Sequence, residues 1–204
     1  MTTINLLATG FTPFDDRDIN ASWIAAGAMA GPGCRTLEIP VVWGEPGRHL
    51  GEAIKTDMPV IILSLGEGRP GWFDLEHVAR NVRGDKPDNH GQSAGRDELI
   101  EPDGPDKRAL NFDARPLQRA LARLGYPVRR SRDAGQYLCE ETLYTLLQLQ
   151  EKNPAIRMAL FCHLPPWGSS VNVRGQPMTV DSALMTAFAA DLKQACIELN
   201  DINQ

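Results

Sequence analysis

Short apolar runs alternate along most of the chain with stretches whose apolar residues recur at helical spacing. The clearest run, at residues 60–63, reads VIIL and has the unbroken apolar character of a strand buried on both faces. Comparable runs predict further strands at residues 4–11, 34–43, 126–132 and 156–165. Helical spacing predicts helices at residues 22–30, 114–125 and 181–200 and from Cys139 onward, with a weaker one at 45–57.

This alternation indicates a fold class. We expect one domain, residues 1–204, folded as a three-layer α/β/α sandwich around a mostly parallel, mixed central sheet. Active sites in such sheets gather at the carboxyl ends of the strands. The loops expected to carry chemistry therefore follow Ala8, Leu65, Arg132 and Phe161.

One long segment, residues 69–109, interrupts the alternation. It is rich in Gly, Pro and Asp and contains one short strand candidate, at residues 77–82. Because it is too long for an ordinary connection between elements, we expect it to be either functional or mobile.

Composition narrows the class of protein. The chain has 204 residues, 42% of them hydrophobic and 23% charged, as in a soluble globular protein. Its net charge of −5 and the lack of a Lys/Arg stripe argue against nucleic acid or an anionic membrane as partner. No apolar run approaches the roughly 20 residues of a membrane helix. The first residues also lack the basic region and cleavage site of a secretory signal.

The cysteines give a second indication of the cellular setting. They are widely scattered, with no CxxC pair and no metal-type spacing to the four histidines. We therefore expect reduced thiols in a cytoplasmic protein, without a zinc site.

Cys139 lies where an extended, Val/Arg-rich run gives way to a predicted helix. Backbone N–H groups at a helix start favour the thiolate, and can lower a thiol pKa from about 8.5 by several units. The same groups can bind a developing oxyanion. The alternative is a buried thiol that only packs, which is the interpretation for Cys34, Cys162 and Cys196.

Two further side chains would complete a set for acyl transfer. His163 ends the next predicted strand, which we expect to neighbour the strand before Cys139, and Glu76 can accept the second imidazole N–H. A cysteine nucleophile, a histidine base and an orienting carboxylate form such a set. On spacing alone, an ordinary loop histidine and a surface glutamate remain open alternatives.

Five motifs follow one another between Thr9 and Pro165. They read TGFTPF with NASW, LEHVARN, PDNHG, SRDAGQYLC and FCHLP. In order and approximate spacing they resemble the signatures of pyrrolidone-carboxylate peptidases, the type I pyroglutamyl peptidases. SRDAGQYLC is similar to the family's cysteine signature, LEHVARN to its glutamate signature, and FCHLP to its His-x-Pro segment.

The resemblance implies a specific activity. Members of that family hydrolyse the amide after an N-terminal pyroglutamyl residue, which here implies Cys139, His163 and Glu76 as catalytic residues, with no metal or cofactor. The substrate would be a small peptide with N-terminal pyroglutamate. The family fold is a single α/β/α domain, often assembled as a homotetramer or homodimer.

The resemblance also implies a substrate pocket. Phe11 and Phe14 correspond to the aromatic residues that flank the lactam ring. Asn20 and Leu138 belong to the same motifs and are expected at the pocket. Glu67 stands roughly where the family has a glutamine that helps to recognise the lactam; a glutamate can accept from the lactam N–H but cannot donate.

Other departures from the family pattern concern charge. Glu140 follows the nucleophile directly, and would raise the pKa of Cys139 unless its side chain points away. Asp15 and Asp16 replace a glycine pair, and the family's basic residue before Pro-Asp-Asn is displaced, with Arg83 or Lys86 as substitutes. These changes leave two alternatives open: a thiol amidohydrolase acting on another small N-acyl or lactam amide, or a catalytically silent binding protein.

Overall fold

The computed structural model describes residues 5–202, which form ten strands and five helices. In chain order they are β1 (Leu6–Phe11), α1 (Ala21–Ala28), β2 (Cys34–Ile39), α2 (Glu45–Thr56), β3 (Ile61–Glu67), β4 (Phe73–Glu76), β5 (Val78–Arg80), β6 (Lys107–Ala109), α3 (Arg115–Arg123), β7 (Val128–Ser131), α4 (Leu138–Lys152), β8 (Met158–Leu164), β9 (Ser170–Val173), β10 (Gln176–Thr179) and α5 (Ser182–Ile202).

The centre of the fold is a six-stranded sheet in the order β2-β1-β3-β8-β4-β7. All neighbouring strands run parallel except β4 and β8, which are antiparallel. The prediction of an α/β sandwich with a mostly parallel, mixed sheet is confirmed.

Two hydrophobic clusters cover the two faces of this sheet. One includes buried residues of α1, α3 and α5, and the other includes those of α2 and α4. Alternate residues of β3 pack into the two clusters: Ile61 and Leu63 belong to the first, with α1, α3 and α5, and Ile62 belongs to the second, with α2 and α4. This two-sided burial explains the unbroken apolar run, since each fully buried side chain contributes roughly 1.5–3 kcal/mol.

A close approach between β1 and α1 positions the loop that joins them. A Cβ atom on Gly10 would lie 2.4 Å from the Ser22 carbonyl oxygen and 2.7 Å from the Cα atom of Trp23. The backbone N–H of the next residue, Phe11, donates to the Ser22 hydroxyl at 2.9 Å. Only glycine allows the helix to pack this closely on the strand.

The prediction for the order of two strands is wrong. β4 lies between β7 and β8, so the strands that precede Cys139 and contain His163 are not neighbours. The four residues of β4 read FDLE, and all four are buried. So short a strand with two acidic residues gives no apolar run, and it lies in the segment that we expected to be irregular.

Other differences concern the ends of the chain and the small sheets. Ile4, the predicted start of the first strand, lies outside the described residues. The candidate strand at 77–82 becomes β5, which pairs with β6 outside the central sheet. The antiparallel pair β9 and β10 was not predicted. No helix within residues 5–202 is long and apolar enough to cross a membrane.

The close packing of β1 on α1 yields a stability prediction. We expect Gly10→Ala to lower the free energy of unfolding by about 1–3 kcal/mol, because the atoms that must move are backbone atoms. Gly51→Ala is the matched control: it lies within α2, where an added Cβ meets nothing within 4 Å. We expect that change to stabilise by about 0.5–1 kcal/mol. Urea denaturation measures both, and a Gly10→Ala variant as stable as the wild type would contradict the packing argument.

Candidate active site

One pocket of about 370 Å³ brings together every residue predicted for the site. It lies at the carboxyl ends of β1, β3 and β8, beside the first turn of α4. The predicted residues that line it are Phe11, Phe14, Asn20, Glu67, Glu76, Leu138, Cys139 and His163.

Cys139 is the second residue of α4 and is partly buried. Its position depends on Gly66 in β3, where an added Cβ would lie 2.9 Å from the Cys139 Sγ atom. The sulfur therefore lies directly against the strand backbone. The first turn of α4 receives no side-chain hydrogen bond from its N-cap residue, Tyr137. The N–H groups of Glu140 and Glu141 donate to the Tyr137 carbonyl, which leaves those of Leu138 and Cys139 to favour a thiolate or an oxyanion at this helix start.

His163 and Glu76 face each other across the antiparallel pair β8 and β4. The register pairs His163 with Asp74, which places Glu76 two residues further along β4 on the same face. The Nδ1 atom of His163 lies 2.8 Å from Oε1 of Glu76, and both side chains are buried. The loop after β3 packs on the imidazole, since a Cβ on Gly68 would lie 2.7 Å from the His163 Cβ.

The charge state of His163 follows from these neighbours. Burial lowers its pKa, but the negative charge of Cys139, a hydrogen bond with that residue, and Glu76 together raise the pKa to about 10. Because Nδ1 lies against Glu76, Nε2 is the ring nitrogen left to face Cys139. The arrangement favours an imidazolium at neutral pH.

The aromatic walls come from the last residue of β1 and from the loop after it. Phe11 is buried in the second core cluster, and Phe14 is partly exposed. The Arg17 guanidinium lies 4.3 Å from the centroid of the Phe14 ring, and the Lys86 ammonium lies 5.1 Å from it. Such contacts hold Phe14 at the mouth of the pocket.

The two aspartates of this loop preserve a backbone that glycine would adopt easily. Asp15 and Asp16 have positive φ angles of 54° and 57°. Aspartate tolerates this left-handed conformation better than most residues. Asp15 also forms an ion pair with Lys86 at 2.7 Å. Lys86 thus lines the pocket, whereas Arg83, the other basic candidate, pairs with Glu98 and Glu141.

Asn20 and Glu67 are both held by internal hydrogen bonds. Asn20 caps α1: its Oδ1 accepts from the Ser22 N–H at 3.0 Å, and its Nδ2 donates to the Thr12 carbonyl at 3.0 Å. The side chain of Glu67 is only 1% exposed. Its Oε1 accepts from the backbone N–H groups of Ala21 and Trp167, at 2.8 and 2.9 Å.

The remaining oxygen of Glu67, Oε2, forms an ion pair with Arg17. The Glu67 carboxylate therefore joins the loops after β1 and β8 to the end of β3. This geometry favours a role in holding the pocket together, while the predicted contact with a lactam N–H stays a prediction.

Glu140 does not line the pocket, although it follows Cys139 in the chain. Its carboxylate is fully buried and accepts hydrogen bonds from the backbone N–H and the guanidinium of Arg80. Burial raises the pKa of Glu140, while the bonds from Arg80 act in the opposite direction. The carboxylate is therefore engaged by a cation on β5 and does not line the pocket.

Several pocket residues carried no signal of their own in the sequence. Arg17, Arg69, Asp74, Asp133 and Tyr137 all line the site. Arg17, Arg69 and Asp74 lie outside the five motifs, in loops or in the short strand β4, whereas Asp133 and Tyr137 lie within SRDAGQYLC but had no predicted role. Within residues 5–202 no three His, Cys, Asp or Glu side chains are placed to hold a metal ion.

The fold and the site together define a hydrolase with a cysteine at a helix start. Comparison with protein families gives a match to the pyroglutamyl peptidase family over residues 4–196. The chain belongs to this family.

Named relatives agree with this assignment. A pyrrolidone-carboxylate peptidase of Streptomyces coelicolor is 36% identical over 202 residues, covering 91% of this chain and 90% of the relative. A protein of the same name from an Enterobacter species is 30% identical over 212 residues, which cover 98% of this chain and 96% of the relative.

Solved structures also resemble the chain. Pyroglutamyl peptidase I of Bacillus amyloliquefaciens superimposes with a TM-score of 0.78 at 26% identity, covering 93% of this chain and 94% of that one. A mutant pyrrolidone carboxyl peptidase of Pyrococcus furiosus has a TM-score of 0.82 at 23% identity, covers 95% of this chain and 98% of that one, and shares the fold.

The environment of His163 yields a prediction about its protonation. We expect its pKa to be near 10 in the wild type and to fall in Cys139→Ala, because the variant removes two of the contributions that raise it and leaves the effect of burial. Titration of the imidazole signals by NMR measures both values. Cys34→Ala is the control, since that buried cysteine does not line the pocket. An unchanged His163 pKa in Cys139→Ala would contradict the proposed contact.

Proposed function

We propose that the protein is a cysteine exopeptidase that hydrolyses the amide bond after an N-terminal pyroglutamyl residue. The observation that carries the proposal is the position of His163, which bonds Glu76 through Nδ1 and interacts with Cys139 inside one pocket. Relatives with 30% or more identity bear the name pyrrolidone-carboxylate peptidase, which supports the same substrate class.

Acylation begins at the sulfur. The Cys139 thiolate adds to the pyroglutamyl carbonyl carbon, and the N–H groups at the start of α4 stabilise the resulting oxyanion. The carbon–nitrogen bond then breaks as the His163 imidazolium transfers its proton to the leaving amine. The shortened peptide departs, and a thioester between Cys139 and the pyroglutamyl group remains.

Deacylation restores the starting state. Neutral His163 takes a proton from water as the water oxygen adds to the thioester carbon. The carbon–sulfur bond breaks, pyroglutamate leaves, and the thiolate again faces an imidazolium. Glu76 keeps the imidazole in one orientation through both steps and stabilises its positive charge, as the carboxylate of a catalytic triad does.

The pocket suits a neutral lactam. A flat five-membered ring without charge must be held by shape, apolar surface and hydrogen bonds to its amide. Phe11, Phe14 and Leu138 supply apolar surface, and the negative charge of Glu67 is already paired with Arg17. The other carboxylates that line the pocket are paired as well: Asp74 with Arg129, Glu76 with His163 and Asp133 with Arg80. A substrate with a free, charged amino terminus would lose hydration on entering such a pocket and meet only carboxylates that already have a cationic partner.

Other expectations about this protein stay predictions. They are its organisation as one domain over residues 1–204, a cytoplasmic location, and assembly as a homotetramer or homodimer. The same applies to independence of metals and cofactors and to the lack of nucleic-acid or membrane partners.

Replacing the nucleophile gives the direct test of activity. We expect Cys139→Ala to lower kcat/KM on a fluorogenic pyroglutamyl amide by about 10⁴-fold or more, because no other group can form the acyl-enzyme. Cys34→Ala, which removes a buried thiol from β2, should retain wild-type turnover within about twofold. Undiminished hydrolysis by Cys139→Ala would end the proposal.

A further inference from the structure

Glu140 and Arg80 form a buried ion pair beneath the first turn of α4. The Oε1 atom of Glu140 accepts from the Arg80 backbone N–H at 2.6 Å. Its Oε2 accepts from Nε and Nη2 of the same residue, at 3.2 and 2.9 Å. The Glu140 side chain is 0% exposed and that of Arg80 is 33% exposed. Two guanidinium N–H groups that converge on one charged oxygen fix the direction of the guanidinium plane.

Arg80 extends this contact to the loop that precedes the nucleophile. Its Nη2 atom donates to Oδ1 of Asp133 at 2.6 Å. The same carboxylate oxygen accepts from the backbone N–H of Gly135 at 3.2 Å, and the other oxygen accepts from Arg69 at 3.1 Å. Asp133, Gly135 and Arg69 all line the active-site pocket. A continuous chain of charge-assisted hydrogen bonds therefore connects the buried Glu140 to the pocket wall.

The neighbouring carboxylate shows that this connection is specific to Glu140. Glu141 is also buried and also pairs with an arginine, since its Oε1 accepts from Arg83 at 2.8 Å. Its other contact is with the backbone N–H of Gly44, before α2. Arg83 also forms an ion pair with Glu98 at 2.7 Å. Gly44, Arg83 and Glu98 do not line the active-site pocket.

We propose that Glu140 is a positioning residue: through Arg80 and Asp133 it fixes residues 133–137, the nucleophile loop, relative to Cys139. The loop leads directly into the first turn of α4, whose N–H groups must point at the developing oxyanion. A displacement of this loop alters the alignment for the chemical step more than it alters the aromatic walls, because Phe11 and Phe14 belong to β1 and the loop after it. This inference rests on the proposed function for its kinetic readout.

The test combines kinetics with hydrogen exchange. In Glu140→Gln one carboxylate oxygen becomes an NH2 donor, so the side chain can no longer accept from both the backbone N–H and the guanidinium of Arg80. We therefore expect kcat on the pyroglutamyl amide to fall about tenfold or more. KM should stay within twofold. Amide exchange in the peptide covering residues 133–137 should become faster.

A double variant keeps the test independent of folding. In Arg80→Leu/Glu140→Leu both charges are removed together, so no buried charge is left unpaired and the protein should still fold. Only the backbone N–H of residue 80 loses its acceptor. The kcat of the double variant should fall as in Glu140→Gln, since Asp133 loses its link to the helix. Glu141→Gln is the matched control, for which kcat and exchange of the nucleophile loop should both stay within twofold of the wild type.

The outcomes separate this inference from the proposed function. The positioning role is overturned if both Glu140 variants keep the wild-type kcat and the wild-type exchange rate of the nucleophile loop. It is also overturned if only KM changes, or if kcat and loop exchange do not change together. If the wild-type protein does not hydrolyse the pyroglutamyl amide, the proposed function fails. Hydrogen exchange of the nucleophile loop then decides the positioning role by itself.

Discussion

The hydrogen bond between His163 and Glu76 is the interaction on which the site depends. It joins β8 to β4, the one antiparallel pair in the central sheet, and it lies where the imidazole is almost fully buried. Burial alone would neutralise the histidine. The carboxylate on one side and the sulfur of Cys139 on the other keep it protonated, which gives both a base and an acid for acyl transfer.

Arginine–carboxylate pairs hold the loops around this centre. Glu67 binds Arg17 and two backbone N–H groups, and thereby joins the loops after β1 and β8 to β3. Glu140 binds Arg80 beneath the nucleophile helix. Both glutamates depart from the pattern that the family resemblance predicts. Their shared physical feature is that each carboxylate is buried and paired, so its charge need not act on the substrate.

The sequence allowed much of the fold to be predicted, because apolar runs such as residues 60–63 report two-sided burial directly. Family motifs identified the residues that meet in the pocket. The prediction failed at β4, whose four residues FDLE include two acids and form no apolar run. Its position in the sheet is set by long-range pairing with His163 and its neighbours, which no local pattern records. The partners of Glu67 and Glu140 were likewise hidden, since they are distant in the chain.

A structure of the protein with a pyroglutamyl aldehyde tests the central claim most directly, because the aldehyde carbon reports the nucleophile and the ring reports the pocket. The account predicts a covalent bond from the aldehyde carbon to Sγ of Cys139, with the lactam ring between Phe11 and Phe14. A bond to another residue, or a ring outside this pocket, would contradict it.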